Sequence, residues 1–581
     1  MVTSAPFGGA IRMKYLTRRL AMALLILSPI TVMGQDHNMM NHAGMDMGAG
    51  DSLSWRMPPM DMSMPMLPGL ENEVPVVGPF LAGEGMDPMM FPEGEPSRVV
   101  EMADGDTLHL EASLIRRTIG EKVFVMYGYN RQYPGPLIRA ERGSEVTVHF
   151  TNNIELPTTV HWHGLRLDNA FDGVPGVTQP PVLTGESFTY QLKFPDTGIY
   201  WYHPHMREDI QQDLGLYGNM LVDPENEGYY SPVNREEVLV LDDLLIDAAG
   251  IIPYGDEAPT HALMGRFGNV MLTNGMTDYT LSVERGEVVR FYITNVANSR
   301  TFNLVFEGAR AKIVASDVSK YEREDYVSSV VIAPAERYVV EVLFDDPGSF
   351  SIKNKVQAIN HFRGVFYPEE HLMGTVEVAD KAVTESHREE FETARVNLDV
   401  AEDLLAFRSE FDRTPDHTLE LTVRVKGLPL PIMRSMEIDT LYVPPVEWND
   451  AMPMMNWLSS AEQVDWVIRD VDSGRENMDI DWSFVVGDVV KIRVFNNPKS
   501  FHPMNHPFHI HGQRFLVVSM DGVANPNLVW KDTAIVPVGS TMDFLVDMTN
   551  PGDWMAHCHI AEHLHSGMML SFSVTEGDLL Q

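Results

Sequence analysis

The chain of 581 residues has a single cysteine, Cys558. No intrachain disulfide can form, so the fold is not a disulfide scaffold. Basic residues are scarce as well: 43 Lys and Arg stand against 82 Asp and Glu, a net charge of −39. Nucleic acid is excluded as a partner, because binding it needs a basic footprint. The acidic excess suits cationic substrates, and equally a chain kept soluble in a salty habitat. No apolar run is long enough for a stable membrane span. Leu20 to Ile30 gives about eleven residues where a bilayer needs about twenty. Preceded by Lys14, Arg18 and Arg19 and followed by Val32-Met33-Gly34, that run reads as an export signal over residues 1–34, with Met13 as the expected start. Thr17-Arg18-Arg19-Leu20 leaves twin-arginine export open beside the general secretory route. The expected destination is periplasmic or secreted. An exported chain with one cysteine makes sense if that thiol is a ligand and stray thiols would compete for its metal.

Methionine, by contrast, is abundant. Residues 35–95 hold twelve, in runs such as Met57-Pro58-Pro59-Met60-Asp61-Met62-Ser63-Met64-Pro65-Met66 and Met86-Asp87-Pro88-Met89-Met90. Proline breaks the segment and neither helical nor strand periodicity appears, which predicts disorder or loose packing.

The rest of the chain repeats. After Gly143, apolar residues fall three, five and seven positions on (Val146, Val148, Phe150) and Asn152 falls at nine. Gly286 is followed in the same way by Val289, Phe291, Ile293 and Asn295, and Gly487 by Val490, Ile492, Val494 and Asn496. Alternation after a glycine turn predicts a half-buried strand in each copy. Gly198 stands five residues before His203 and Gly552 five before His557; the middle copy has Gly348 and Lys353. Three homologous β-domains follow, at 96–226, 227–380 and 416–581. Short strands and Gly/Pro turns favour Greek-key sandwiches, so the fold class is all-β. The charged, apolar-poor stretch 381–415 reads as a linker.

Copies one and three carry histidine clusters: His161-Trp162-His163, His203-Pro204-His205, His506-Pro507-Phe508-His509-Ile510-His511, and His557-Cys558-His559 with His563 and Met568. Ten imidazoles with one thiolate and one thioether suit copper, and a His₂Cys set with a weak Met is the blue-copper arrangement. Neither copy has enough ligands alone, so a cluster must be shared between the first and third domains. Residues two apart on a strand share a face. His557 and His559 therefore oppose Cys558, which places a thiolate-bound copper on one side and a histidine-bound cluster on the other. His509 and His511 also share a face, with His506 an odd step away.

This order and spacing resemble the multicopper oxidases (laccases, ascorbate oxidase and bacterial cuprous oxidases) over roughly residues 96–577. The resemblance implies three cupredoxin-like domains and four coppers per chain. His506, Cys558, His563 and Met568 match the type 1 ligands. His161 and His509 match the type 2 ligands, and His163, His203, His205, His511, His557 and His559 the type 3 pair. Asp172, eleven residues past His161, matches an acidic residue that helps deliver protons to dioxygen; the plainer reading is a turn Asp before Gly173. Cys558 and Asp172 are the expected catalytic residues. Bacterial members commonly carry an acidic residue where this chain has Leu564, so no second proton route is assigned, Glu562 being a poor substitute. His565, His502, His37 and His42 are outside ligand positions.

The implied activity is one-electron oxidation of a donor coupled to four-electron reduction of dioxygen to water. A Met ligand at the type 1 site is associated in the family with lower potential, favouring easily oxidised donors. Two donors compete. Soft thioethers in residues 35–95 and at Met452-Pro453-Met454-Met455 favour Cu(I) and a role in copper tolerance, unless these methionines are flexible filler or core. The alternative is laccase action on phenols and aromatic amines. A non-enzymatic periplasmic copper-binding protein would not need Cys558 wired between histidines. A two-domain copper nitrite reductase would lack paired type 3 ligands, and a copper-free structural relative would lack the ligands altogether.

Overall fold

A computed structural model describes residues 53–60, 67–226, 228–360, 365–439, 449–450 and 453–577. The expected export signal, His37, His42 and Met452 lie outside the described residues, as does much of the methionine-rich segment. Described secondary structure is mainly β-strand, with short helices, and no described helix is long and apolar enough to cross a membrane.

Apart from one two-stranded pair, the described strands form three units of two sheets each. The repeated strand occupies the same place in all three. Glu145–Asn153 lies between a parallel partner, Thr107–Ile119, and an antiparallel one, Ser187–Lys193. Glu287–Asn295 lies likewise between Arg235–Leu244 and Arg337–Phe344, and Val489–Asn496 between His417–Val425 and Thr541–Asp547. The repeated asparagine explains itself. Asn152 Nδ2 donates to the carbonyls of Leu156 and Val182, Asn295 Nδ2 to Arg300 and Ile332, and Asn496 Nδ2 to Met504 and Val536. One buried amide thus ties together two carbonyls of the adjoining turn.

The middle strand departs from the half-buried expectation: every residue of Glu287–Asn295 is buried. The second unit is packed from both sides. Tyr292 joins Ile199 and Leu221 of the first unit in one apolar cluster, and Arg290, on the same strand, is neutralised by Glu341 at 2.8 Å and Glu236 at 3.0 Å.

The methionine-rich segment is also less loose than its composition suggests where it is described. Trp55 packs edge-on against Trp457 at 5.7 Å and donates Nε1–H to the Val77 carbonyl. Leu67 and Leu70 are buried in the core of the third unit, and Pro79–Phe80 pairs with Tyr254–Gly255. A few large anchors bury enough surface to fix a chain that has no periodicity of its own. The stretch 381–415 is a connection that is strapped down: it carries helices Arg388–Glu392 and Leu398–Leu405. Phe407 meets Trp530 edge-on at 5.0 Å, and the Trp530 indole N–H donates to Asp403.

Candidate metal centres

Strand register assembles the histidine clusters. In the first unit His161 lies opposite His203 and His163 opposite Trp201. In the third, Phe508 lies opposite Cys558 and His509 opposite His557. The two pairs of strands face each other across the junction of these units, and His163 stacks on His509 with ring centroids 3.8 Å apart. All ten histidines, Cys558 and Met568 are buried.

Two centres result. In the first, the ring nitrogens and sulfur of His506, Cys558 and His563 lie within 4.8 Å of one another. Cys558 Sγ is 3.5 Å from His506 Nδ1 and 3.8 Å from His563 Nδ1. Met568 is fully buried in the same core, and its carbonyl accepts the Cys558 N–H. In the second, donor groups overlap: His161 with His509 and His511, His161 with His163 and His203, and His205 with His511 and His557. His559 completes this shell, its ring centroid 5.0 Å from that of His163 and 5.1 Å from that of His203. The parity expected of His557, Cys558 and His559 is present: the flanking rings meet the eight-histidine group while the sulfur meets the other centre.

The hydrogen bonding tests whether these residues fit a metal. His161 Nδ1, His203 Nδ1 and His509 Nδ1 each lie 2.7–2.8 Å from a backbone carbonyl, of Asp172, Pro204 and Asp532. A carbonyl only accepts, so Nδ1 carries the hydrogen and Nε2 a bare lone pair. Those three Nε2 atoms are buried without a hydrogen-bond partner, as are Nδ1 of His163 and Nε2 of His205 and His559. His511 Nδ1 lies 2.9 Å from the Asp172 carboxylate and His557 Nδ1 2.9 Å from the Cys558 carbonyl. Both remaining Nε2 atoms are therefore acceptors, 2.9 Å apart with no proton between them. Converging buried lone pairs of this kind fit cations and nothing else in the protein. Their outer nitrogens are held as metal-ligating imidazoles are held.

Burial also sets the protonation states. It pushes His205 and His559 down to about 3, neighbouring histidines adding to it and the Glu208 carboxylate opposing it by less, and His506 likewise to about 3. The imidazoles stay neutral and available. Burial pushes the Cys558 thiol up, so its proton leaves in exchange for a metal. Burial alone would raise the Asp172 carboxyl; His511 and His161 beside it outweigh that and hold it well below the usual carboxylate range. Its oxygens lie 2.9 Å from His511 Nδ1 and 3.3 Å from His161 Nδ1. Asp172 is thus more than a turn residue, although it does cap a 3₁₀ turn before Gly173. That glycine is required: at φ +82° a Cβ would stand 2.0 Å from the Val160 carbonyl oxygen.

Sequence profiles of multicopper oxidases match residues 115–227, 234–366 and 449–578. The chain belongs to the multicopper oxidase family. It is therefore a copper-dependent oxidoreductase, and its three two-sheet units are cupredoxin-like. The multicopper oxidase MmcO of Mycobacterium tuberculosis is 26% identical over 78% of this chain and 84% of its own length. Laccase-1 of Botryotinia fuckeliana is 26% identical over 78% and 79%. Among solved structures, the Campylobacter jejuni multicopper oxidase described as a metallo-oxidase superposes with a TM-score of 0.63 at 23% identity, covering 86% of this chain and 99% of that one. McoA of Aquifex aeolicus gives 0.60 at 23%, over 83% and 99%. These two share the fold.

Several functional neighbours escaped the sequence reading. Asp532 touches His163 Nε2 at 3.1 Å and is held by Arg337. Glu208 lies 3.3 Å from His205 Nδ1 and also bonds His565, so His565 is no bystander. Trp466 lies over His563 at 4.1 Å between centroids, its indole N–H on the Ala262 carbonyl. None of these has a recognised local motif: Asp532 reaches His163 from another unit, Glu208 ties His205 of its own unit to His565 of the third, and Trp466 packs on His563 within the third unit. Burial beside Asp209 and Asp213 pushes Glu562 up to about 8, and it accepts the Ser299 hydroxyl.

Proposed function

We propose that the oxidase takes electrons one at a time from a donor at a mononuclear type 1 copper held by His506, Cys558, His563 and Met568. It would reduce dioxygen to water at a three-copper cluster, of types 2 and 3, held by the eight remaining histidines. Copper supplies the one-electron redox chemistry, and the protein supplies position, dryness and protons. One observation carries the reading: Cys558 joins both centres, its sulfur among His506 and His563 and its backbone continuous with His557 and His559. Asp172 fixes the Nδ1 hydrogens of His161 and His511, and it is the carboxylate placed to pass protons at the cluster.

For the donor we favour Cu(I), with copper tolerance outside the cytoplasm as the role. His506 and His563 are roofed by Trp466 and by the loop through Ala262, so a donor must pass its electron through protein and needs no pocket for a ring. Met454 and Met455 serve packing: both are buried, and Met454 Sδ accepts the Leu67 N–H. The collecting thioethers are Met86, Met89 and Met90, all at least half exposed. Phenol oxidation is the second reading, favoured by the laccases among the relatives. Metal analysis giving four coppers per chain, with oxygen uptake stoichiometric to added Cu(I), tests the proposal. One copper per chain, or uptake with phenols alone, overturns it in its first or second part.

A further inference from the structure

A pair of histidines outside both centres lies close enough to share one ligand. His109 sits on strand Thr107–Ile119 and His149 on Glu145–Asn153. The strands are parallel, and the two histidines are in register. Both are exposed, on the solvent face of the four-stranded sheet of the first unit, not the sheet that carries His161 and His203. Their ring centroids are 5.3 Å apart with the planes tilted by 37°. His506 and His563, which share a candidate metal position with Cys558, are also 5.3 Å apart. Two imidazoles binding one cation at ~2.0–2.1 Å bring their centroids to roughly this separation.

A second observation concerns orientation. Thr189 lies opposite His149 on the next strand, and its hydroxyl is 2.9 Å from His149 Nδ1. A hydroxyl on Nδ1 fixes the ring and, when Nδ1 donates, leaves the Nε2 lone pair outward, as in established imidazole sites. Glu111, two residues from His109 on the same face, adds negative charge, and its carboxylate is steadied by the Asn153 amide at 3.0 Å.

We propose that His109 and His149 form a surface site for one borderline divalent cation, Zn²⁺ or Cu²⁺, with water completing the shell. Imidazole prefers such cations over Mg²⁺ or Ca²⁺. The site does not depend on which donor the oxidase uses. It would hold an ion in exchange with solvent, beyond the resident coppers.

The test titrates the copper-loaded full chain with Zn²⁺, which is colourless and redox-silent, and follows binding by calorimetry and by metal analysis after dialysis. The proposal expects one zinc per chain, and affinity lower by on the order of tenfold or more in both His109→Gln and His149→Gln. Copper content and the visible spectrum should be unchanged in both variants. No zinc bound by the parent chain, or zinc binding that survives either substitution at full affinity, overturns it. Because both side chains are exposed on the solvent face of their strands, each variant is expected to fold; an unchanged unfolding midpoint checks this.

Discussion

Arg337 of the second unit grips Asp532 of the third through two parallel bonds, Nη1 to Oδ1 at 2.6 Å and Nη2 to Oδ2 at 2.5 Å. Both residues are buried, and Asp532 in turn reaches His163 of the first unit. Arg337 Nε also donates to the Ile199 carbonyl. The middle unit, which has no copper ligands of its own in this reading, thereby braces both halves of the cluster. Beside the pair, Gly164 has φ +87°, and a Cβ there would stand 2.5 Å from Asp532 Oδ2. Removing one partner of a buried ion pair typically costs about 3–5 kcal/mol. Arg337→Met is therefore expected to lower the unfolding midpoint and the type 3 copper content together. Calorimetry and metal analysis check it; a stable variant with full copper would show the brace to be dispensable.

Cys558→Ser should abolish the blue colour while the three coppers of the cluster remain. Visible spectroscopy and copper analysis of the same sample separate these outcomes. Loss of all copper would mean that the two centres do not form independently.

Asp172→Asn keeps the shape of the side chain but removes its charge. Reoxidation by dioxygen should slow on the order of a hundredfold, the lower range for a lost proton-transfer group, while reduction of the type 1 copper by donor stays near normal. Stopped-flow of the two half-reactions measures this. Equal loss in both would reduce Asp172 to an anchor for His161 and His511.

Replacing Met86, Met89 and Met90 with Leu should raise KM for Cu(I) and leave phenol kcat/KM unchanged. A chain starting at Ser52 extends the test without exposing the core that Trp55, Leu67 and Leu70 cover. If Cu(I) turnover is indifferent to both changes, the thioethers are not collectors and the donor reading loses its support.

The three units and the histidines and cysteine that gather into the two buried clusters were legible because both are written locally. A glycine, an alternating run and an asparagine recur within ten residues, and the His-x-His spacing matches the strand period. What stayed illegible is non-local. No motif marks Asp532, Glu208 or Trp466; Asp532 and Glu208 acquire meaning from His163 and His565, more than 300 positions away, and Trp466 from its packing on His563. The burial of Glu287–Asn295 on both faces depends likewise on what the first unit and Phe391 of the connecting segment press against it. Trp55 and Leu70 were misread for the complementary reason: composition averages over a segment, while a few large side chains decide whether it is fixed.

The proposed ligands run from His161 in the first unit to Met568 near the end of the third. In the proposed assignment a ribosome must therefore release almost the entire polypeptide before the type 1 position or the type 3 pair is complete. Metal acquisition becomes a certificate of finished folding: a product cut short before Gly552 could still build its first two units, yet it would hold neither the thiol nor His557, His559 and His563. Copper binding in such a system reports on biosynthetic quality as well as on catalysis, since only an intact molecule can be coloured.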